Sequence, residues 1–125
     1  MNIKFSTGAL RCRVSQEELA ALLAGRAIKL EVTLPRHHAF RLNVRPAVIG
    51  GWLLESDPTG LWLAIPRATL ETLSQSLPSR EGVESTFDVG NGETVQVSFE
   101  VDVRKARPAR ESESVKPNLA DSAPT

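Results

Sequence analysis

The stretch Leu10-Arg11-Cys12-Arg13-Val14-Ser15-Gln16-Glu17-Glu18-Leu19-Ala20-Ala21-Leu22 decides the fold. Leu10, Cys12 and Val14 alternate with two arginines, which predicts a strand with one buried and one wet face. Ser15 and Glu18 then stand at capping-box spacing, each able to satisfy a free backbone N–H, so a helix starts at once. Val14 and Leu19 sit at staple spacing around that cap. Leu19, Leu22 and Leu23 form the buried stripe, and Gly25 supplies the left-handed stop. Shifted by 51 positions, Leu10, Cys12, Val14, Leu19 and Leu22 fall on Leu61, Leu63, Ile65, Leu70 and Leu73. The second helix begins at Pro66, whose fixed φ suits a first turn, and stops at Pro78.

Working outward, Ile3 and Phe5 alternate with Asn2, Lys4 and Ser6 before the first of these strands. After each helix comes a further pair of alternating stretches. Ile28, Leu30, Val32 and Leu34 are followed by Phe40, Leu42 and Val44. In the second half Val83–Val89 precedes Val95, Val97, Phe99, Val101 and Val103, joined by the hairpin signal Gly90-Asn91-Gly92. Asp57-Pro58-Thr59-Gly60 is a turn between Trp52–Ser56 and Leu61–Ile65. Each half therefore reads ββαββ, with Gly50-Gly51 at the join. The expectation is an α+β domain, mainly antiparallel β, made by internal duplication. Its pseudo-repeats are 1–49 and 50–103. The simplest assembly is one eight-stranded sheet, curved or closed into a barrel, because closure removes exposed edges.

The chain has 125 residues, room for one small domain. Residues 104–125 hold few apolar anchors and are expected to stay disordered. Fifteen basic side chains balance fifteen acidic ones, but the zero is a cancellation. Residues 1–49 carry +5, residues 50–103 carry −7 and the tail carries +2. Whether folding separates or mixes these charges decides what the surface can recognise. No apolar run approaches the ~20 residues that span a bilayer, and no signal-peptide pattern opens the chain. With a lone cysteine, these features point to a cytoplasmic protein with no membrane association.

The chemistry-bearing residues are few. His37-His38 lacks the further ligands a metal site needs, so neither metal nor cofactor is implied. Cys12 lies on an apolar strand face and reads as a small core residue. The glycine pairs open no helix and so form no phosphate loop. The notable polar groups are strand stripes: Arg11 with Arg13, Arg41 with Arg45, and Glu100 with Asp102. Nucleic acid is disfavoured as a partner, because the four Phe fall on core faces and the two Trp flank an acidic turn rather than a basic groove.

Ile3-Lys4-Phe5, Leu10-Arg11-Cys12-Arg13-Val14-Ser15 with Glu18, and Gly92–Val103 with its Glu100-x-Asp102 together resemble a small bacterial family of uncharacterised proteins, a domain of unknown function. Pro117-Asn118 is also similar to that family's tail. The chain departs from it at Val101, where a Lys is common, and in lacking a Cys after the last strand. The resemblance implies domain limits and brings no activity. A triphosphate tunnel enzyme is excluded, since the first strand, Asn2–Ser6, has no carboxylate.

Two functions are compatible with these residues. One is a non-catalytic interaction domain whose basic stripes (Arg11, Arg13, Arg41, Arg45) contact an acidic protein partner or another copy. The other is a small enzyme or anion-binding barrel with a polar site near Arg11, Arg13, Glu100 and Asp102.

Overall fold

A computed structural model of the chain describes residues 1–78 and 81–103. The tail assigned to disorder begins at residue 104 and lies outside them. The element order is β1 (Asn2–Ser6), β2 (Ala9–Val14), α1 (Gln16–Leu23), β3 (Ile28–Leu34), β4 (His38–Ala47), β5 (Leu53–Asp57), β6 (Gly60–Pro66), α2 (Arg67–Gln75), β7 (Val83–Gly90) and β8 (Glu93–Val101). A single 3-10 turn at Pro35–His37 joins β3 to β4, with Arg36 and His37 at positive φ.

The ββαββ repeat is present in full. The strands do not form one sheet, however, and no barrel closes. They form two four-stranded sheets, ordered β1-β2-β8-β7 (sheet I) and β3-β4-β6-β5 (sheet II). Neighbours within each hairpin are antiparallel, whereas the central pairs β2/β8 and β4/β6 are parallel. Each sheet thus takes one hairpin from each half of the chain. Helix α1 carries the chain from sheet I to sheet II, and α2 carries it back. Alternation fixes which face of a strand is buried but not which strand lies beside it, so the period-two pattern was blind to this exchange.

The register makes the internal symmetry explicit. In sheet I, Leu10 stands opposite Val97 and Cys12 opposite Phe99. In sheet II, Leu61 stands opposite Leu42 and Leu63 opposite Val44. The first hairpin and helix repeat at 51 positions, and the second hairpin repeats at 55. The extra residues lie at the end of α2 and in its link to β7, residues 76–82, against 24–27 after α1. Corresponding backbone bonds are kept as well. Gln96 N–H donates to Gly8 O at 2.9 Å, and Arg41 N–H donates to Thr59 O at 3.0 Å.

One core joins the parts. It draws Leu10, Cys12, Val14, Val97, Phe99 and Val101 from sheet I, and Ile28, Val44, Leu63 and Ile65 from sheet II. The helices add Leu19, Leu22, Leu70 and Leu73. Helix α1 starts with the expected capping box: Glu18 N–H donates to Ser15 Oγ at 3.0 Å, and Ser15 N–H donates to Glu18 Oε1 at 2.9 Å. Helix α2 has no side-chain cap, since Pro66 fills that position. Trp52 packs against the core, while Trp62 stands on the opposite, outer side of sheet II beside Glu55 and Asn43, so the two indoles do not pair across their hairpin.

Candidate functional site

The polar positions of β2 and β8 meet because these strands are parallel neighbours. Arg13 stands directly opposite Glu100, and Arg11 opposite Ser98 one step along the same outer face. Glu100 spans both guanidinium groups. Arg11 donates from Nε to Oε1 at 3.0 Å and from Nη2 to Oε2 at 3.1 Å, and Arg13 Nε donates to Oε2 at 2.8 Å. The carboxylate is the most enclosed of the three, with 15% of its side chain exposed against 51% for Arg11 and 41% for Arg13. Hydrogen bonding from Arg11 holds the Glu100 carboxyl below its ordinary value; burial opposes the shift and Arg13 adds to it. The same bond raises Arg11. Asp102 lies just past the end of β8, half-buried, and its backbone N–H donates to Val14 O at 2.8 Å.

The second stripe has a different setting. Arg41 and Arg45 lie on the outer face of sheet II, both exposed. Arg41 Nε approaches Glu31 Oε2 at 3.7 Å, a loose exposed pair. Beside Arg45 opens a cleft of about 360 Å³, lined by Ala47, Val48, Ile49, Leu53 and Ala64 among others. Val48 is 83% exposed and Ile49 91%, in the loop that joins the two repeats. The sequence showed Arg45 but not the cleft, because Val48 and Ile49 belong to no periodic run.

So the structure brings Arg11, Arg13 and Glu100 together, holds Asp102 nearby on the backbone, and leaves Arg41 and Arg45 on the other sheet. The remaining reactive side chains are quiet. Cys12 is fully buried, and desolvation pushes its thiol up to about 12, so no thiolate forms near neutrality. His37 and His38 are exposed at the β3–β4 turn. Among the described residues, no group of three or more His, Cys, Asp or Glu is placed to hold a metal ion, and no helix is long and apolar enough to cross a membrane. Comparison with the models of known protein families, with curated proteins and with solved structures finds no match.

Proposed function

We propose that this protein is a non-catalytic, cytoplasmic interaction domain that uses the basic face of β4 to contact an acidic protein partner or another copy of itself. The observation that carries this reading is the different state of the two arginine stripes. Arg11 and Arg13 already share an internal carboxylate. Arg45 is exposed and lines a cleft of mixed polarity whose walls include two aliphatic side chains turned to solvent. Exposed aliphatics grouped beside a cation are the composition of a recognition surface rather than of an inert one. The test is titration with an acidic, leucine-containing peptide, followed by Trp62 fluorescence at low and high salt. Binding that weakens with salt and is lost in Arg41→Ala/Arg45→Ala supports the reading. Binding by neither the wild type nor the variant overturns it.

The anion-binding alternative has one feature in its favour. A single carboxylate between two guanidinium groups leaves one positive charge and several outward N–H donors at the β2/β8 seam. Phosphate titration read at the Arg side-chain resonances tests it, with Arg13→Ala expected to abolish any shift.

A further inference from the structure

The outer face of sheet II is laid out in rows by its strand register. One row runs Lys29–Asn43–Trp62–Glu55 across β3, β4, β6 and β5. The row on one side runs Glu31–Arg41–Gly60–Asp57, and on the other Arg45–Ala64–Leu53. Positive charge therefore lies at one edge of the middle row and negative charge at the other, with an indole between them. Lys29, Glu55 and Arg45 are exposed, and no described side chain pairs with them. Leu53 is 44% exposed, and Val48 and Ile49 extend this apolar margin beyond the sheet.

Such a face is complementary to itself. Turned over about a two-fold axis parallel to the strands, β4 of one copy lies over β6 of the other, and β3 over β5. Lys29 then meets Glu55 of the second copy, twice by symmetry. Asn43 meets Trp62 of the second copy, and Arg45 lies over its Ala64 beside Leu53. We propose that two copies of this chain pair face to face in this way through sheet II. The inference rests on the interaction-domain reading and names the partner as a second copy. Sheet I also has one positive and one negative edge, with the signs exchanged between equivalent strands, but its central arginines are held by Glu100 within the chain. In the third row Glu31 approaches Asp57 of the second copy, with an Arg41 beside each of them, and this row limits the affinity. Strand spacing gives the face about 300–400 Å² per copy before the 48–52 loop is added. That is below the ~800 Å² per partner of a standard stable interface. The pair is accordingly weak, reversible and concentration-dependent.

The experiment is sedimentation equilibrium of the full chain from micromolar to millimolar concentration, with Lys29→Glu, Glu55→Lys and the double variant. All three changes are at exposed positions, and circular dichroism verifies folding. Each single variant is expected to weaken self-association by at least about tenfold, since like charges then meet twice. The double variant restores it, and so does mixing the two singles in equal amounts. Monomer at every concentration, or singles that stay apart when mixed, overturns the proposal. A chain that is monomeric yet binds the acidic peptide through Arg41 and Arg45 overturns the pair alone; one that does neither overturns the interaction reading too.

Discussion

On sheet I the outward position near the end of the central strand is Glu100, with Arg13 beside it and Arg11 one step away. On sheet II the corresponding position is Arg45, beside Ala64 and near Trp62. The inversion extends to the flanks, where Lys4 answers to Glu55 and Glu84 to Lys29. Inward, by contrast, the same register pairs Cys12 with Phe99 and Leu63 with Val44, apolar against apolar. Burial fixes polarity on the inner faces because an unpaired polar group there costs several kcal/mol. The outer faces bear no such constraint, and their charges have diverged. On one face a carboxylate ties two arginines together within the chain, and on the other Lys29, Arg45 and Glu55 have no side-chain partner among the described residues.

The sharpest way to break the comparison is through the core. Phe99 is wholly buried, and its counterpart Val44 is nearly so. Phe99→Ala is expected to cost about 3–5 kcal/mol in urea unfolding. Val44→Ala should cost less, because fewer carbons leave contact. Equal losses would mean that the two sheets do not share the core in the way the register implies.

A smaller effect is expected at the mouth of the parallel seam. A Cβ on Gly60 would collide with the backbone carbonyl of Arg41, while the equivalent position in sheet I is Ala9. Gly60→Ala is therefore expected to cost about 1–3 kcal/mol, the usual range for overpacking. Ala9→Gly should cost about 1 kcal/mol or less. Thermal unfolding of both variants decides whether the seams are as unequal as their geometry.

The helices differ next. Ser15→Ala removes the side-chain cap of α1 and should lower stability by about 1 kcal/mol. No corresponding loss exists at α2, whose cap position is Pro66.

The smallest change concerns Glu100. Its carboxyl titrates lower in the folded chain than in the unfolded one. The stability it adds is therefore complete above the ordinary glutamate value of about 4.3. It is lost as pH falls from there through the lower folded value. Because its arginines are substantially exposed, Glu100→Gln should cost no more than about 1 kcal/mol at pH 7. The variant should also lose stability less steeply as pH falls below the ordinary glutamate value. An unchanged acid limb in chemical unfolding would show that the cluster carries no net stabilisation.

Most of the local structure was legible in the sequence for reasons that can be named. Ser15 and Glu18 mark a helix start because their side chains complete backbone hydrogen bonds, and both bonds are present. Gly90 and Gly92, like Asn91 between them, take positive φ, as the hairpin turn requires. A polar site of Arg11, Arg13, Glu100 and Asp102 needs β2 and β8 side by side, and this arises from parallel pairing between halves. Parallel neighbours are non-local contacts, and alternating side chains carry no signal for them. The Arg11–Arg13–Glu100 cluster could be named as candidates but not as a bonded group. The cleft beside Arg45 was missed because Val48 and Ile49, which complete its walls, lie in a loop with no periodic pattern.

The exchange of hairpins also bears on how the molecule could be taken apart. Cut at Gly50-Gly51, each fragment would hold two hairpins destined for different sheets, and neither could complete a sheet alone. A two-stranded hairpin is at best marginal in water. The fragments would have to find each other to fold, which is how two identical ββαββ chains would behave if each lent a hairpin to the other. The covalent link at the Val48–Trp52 loop thus makes one chain out of what is, in its architecture, an interlocked dimer.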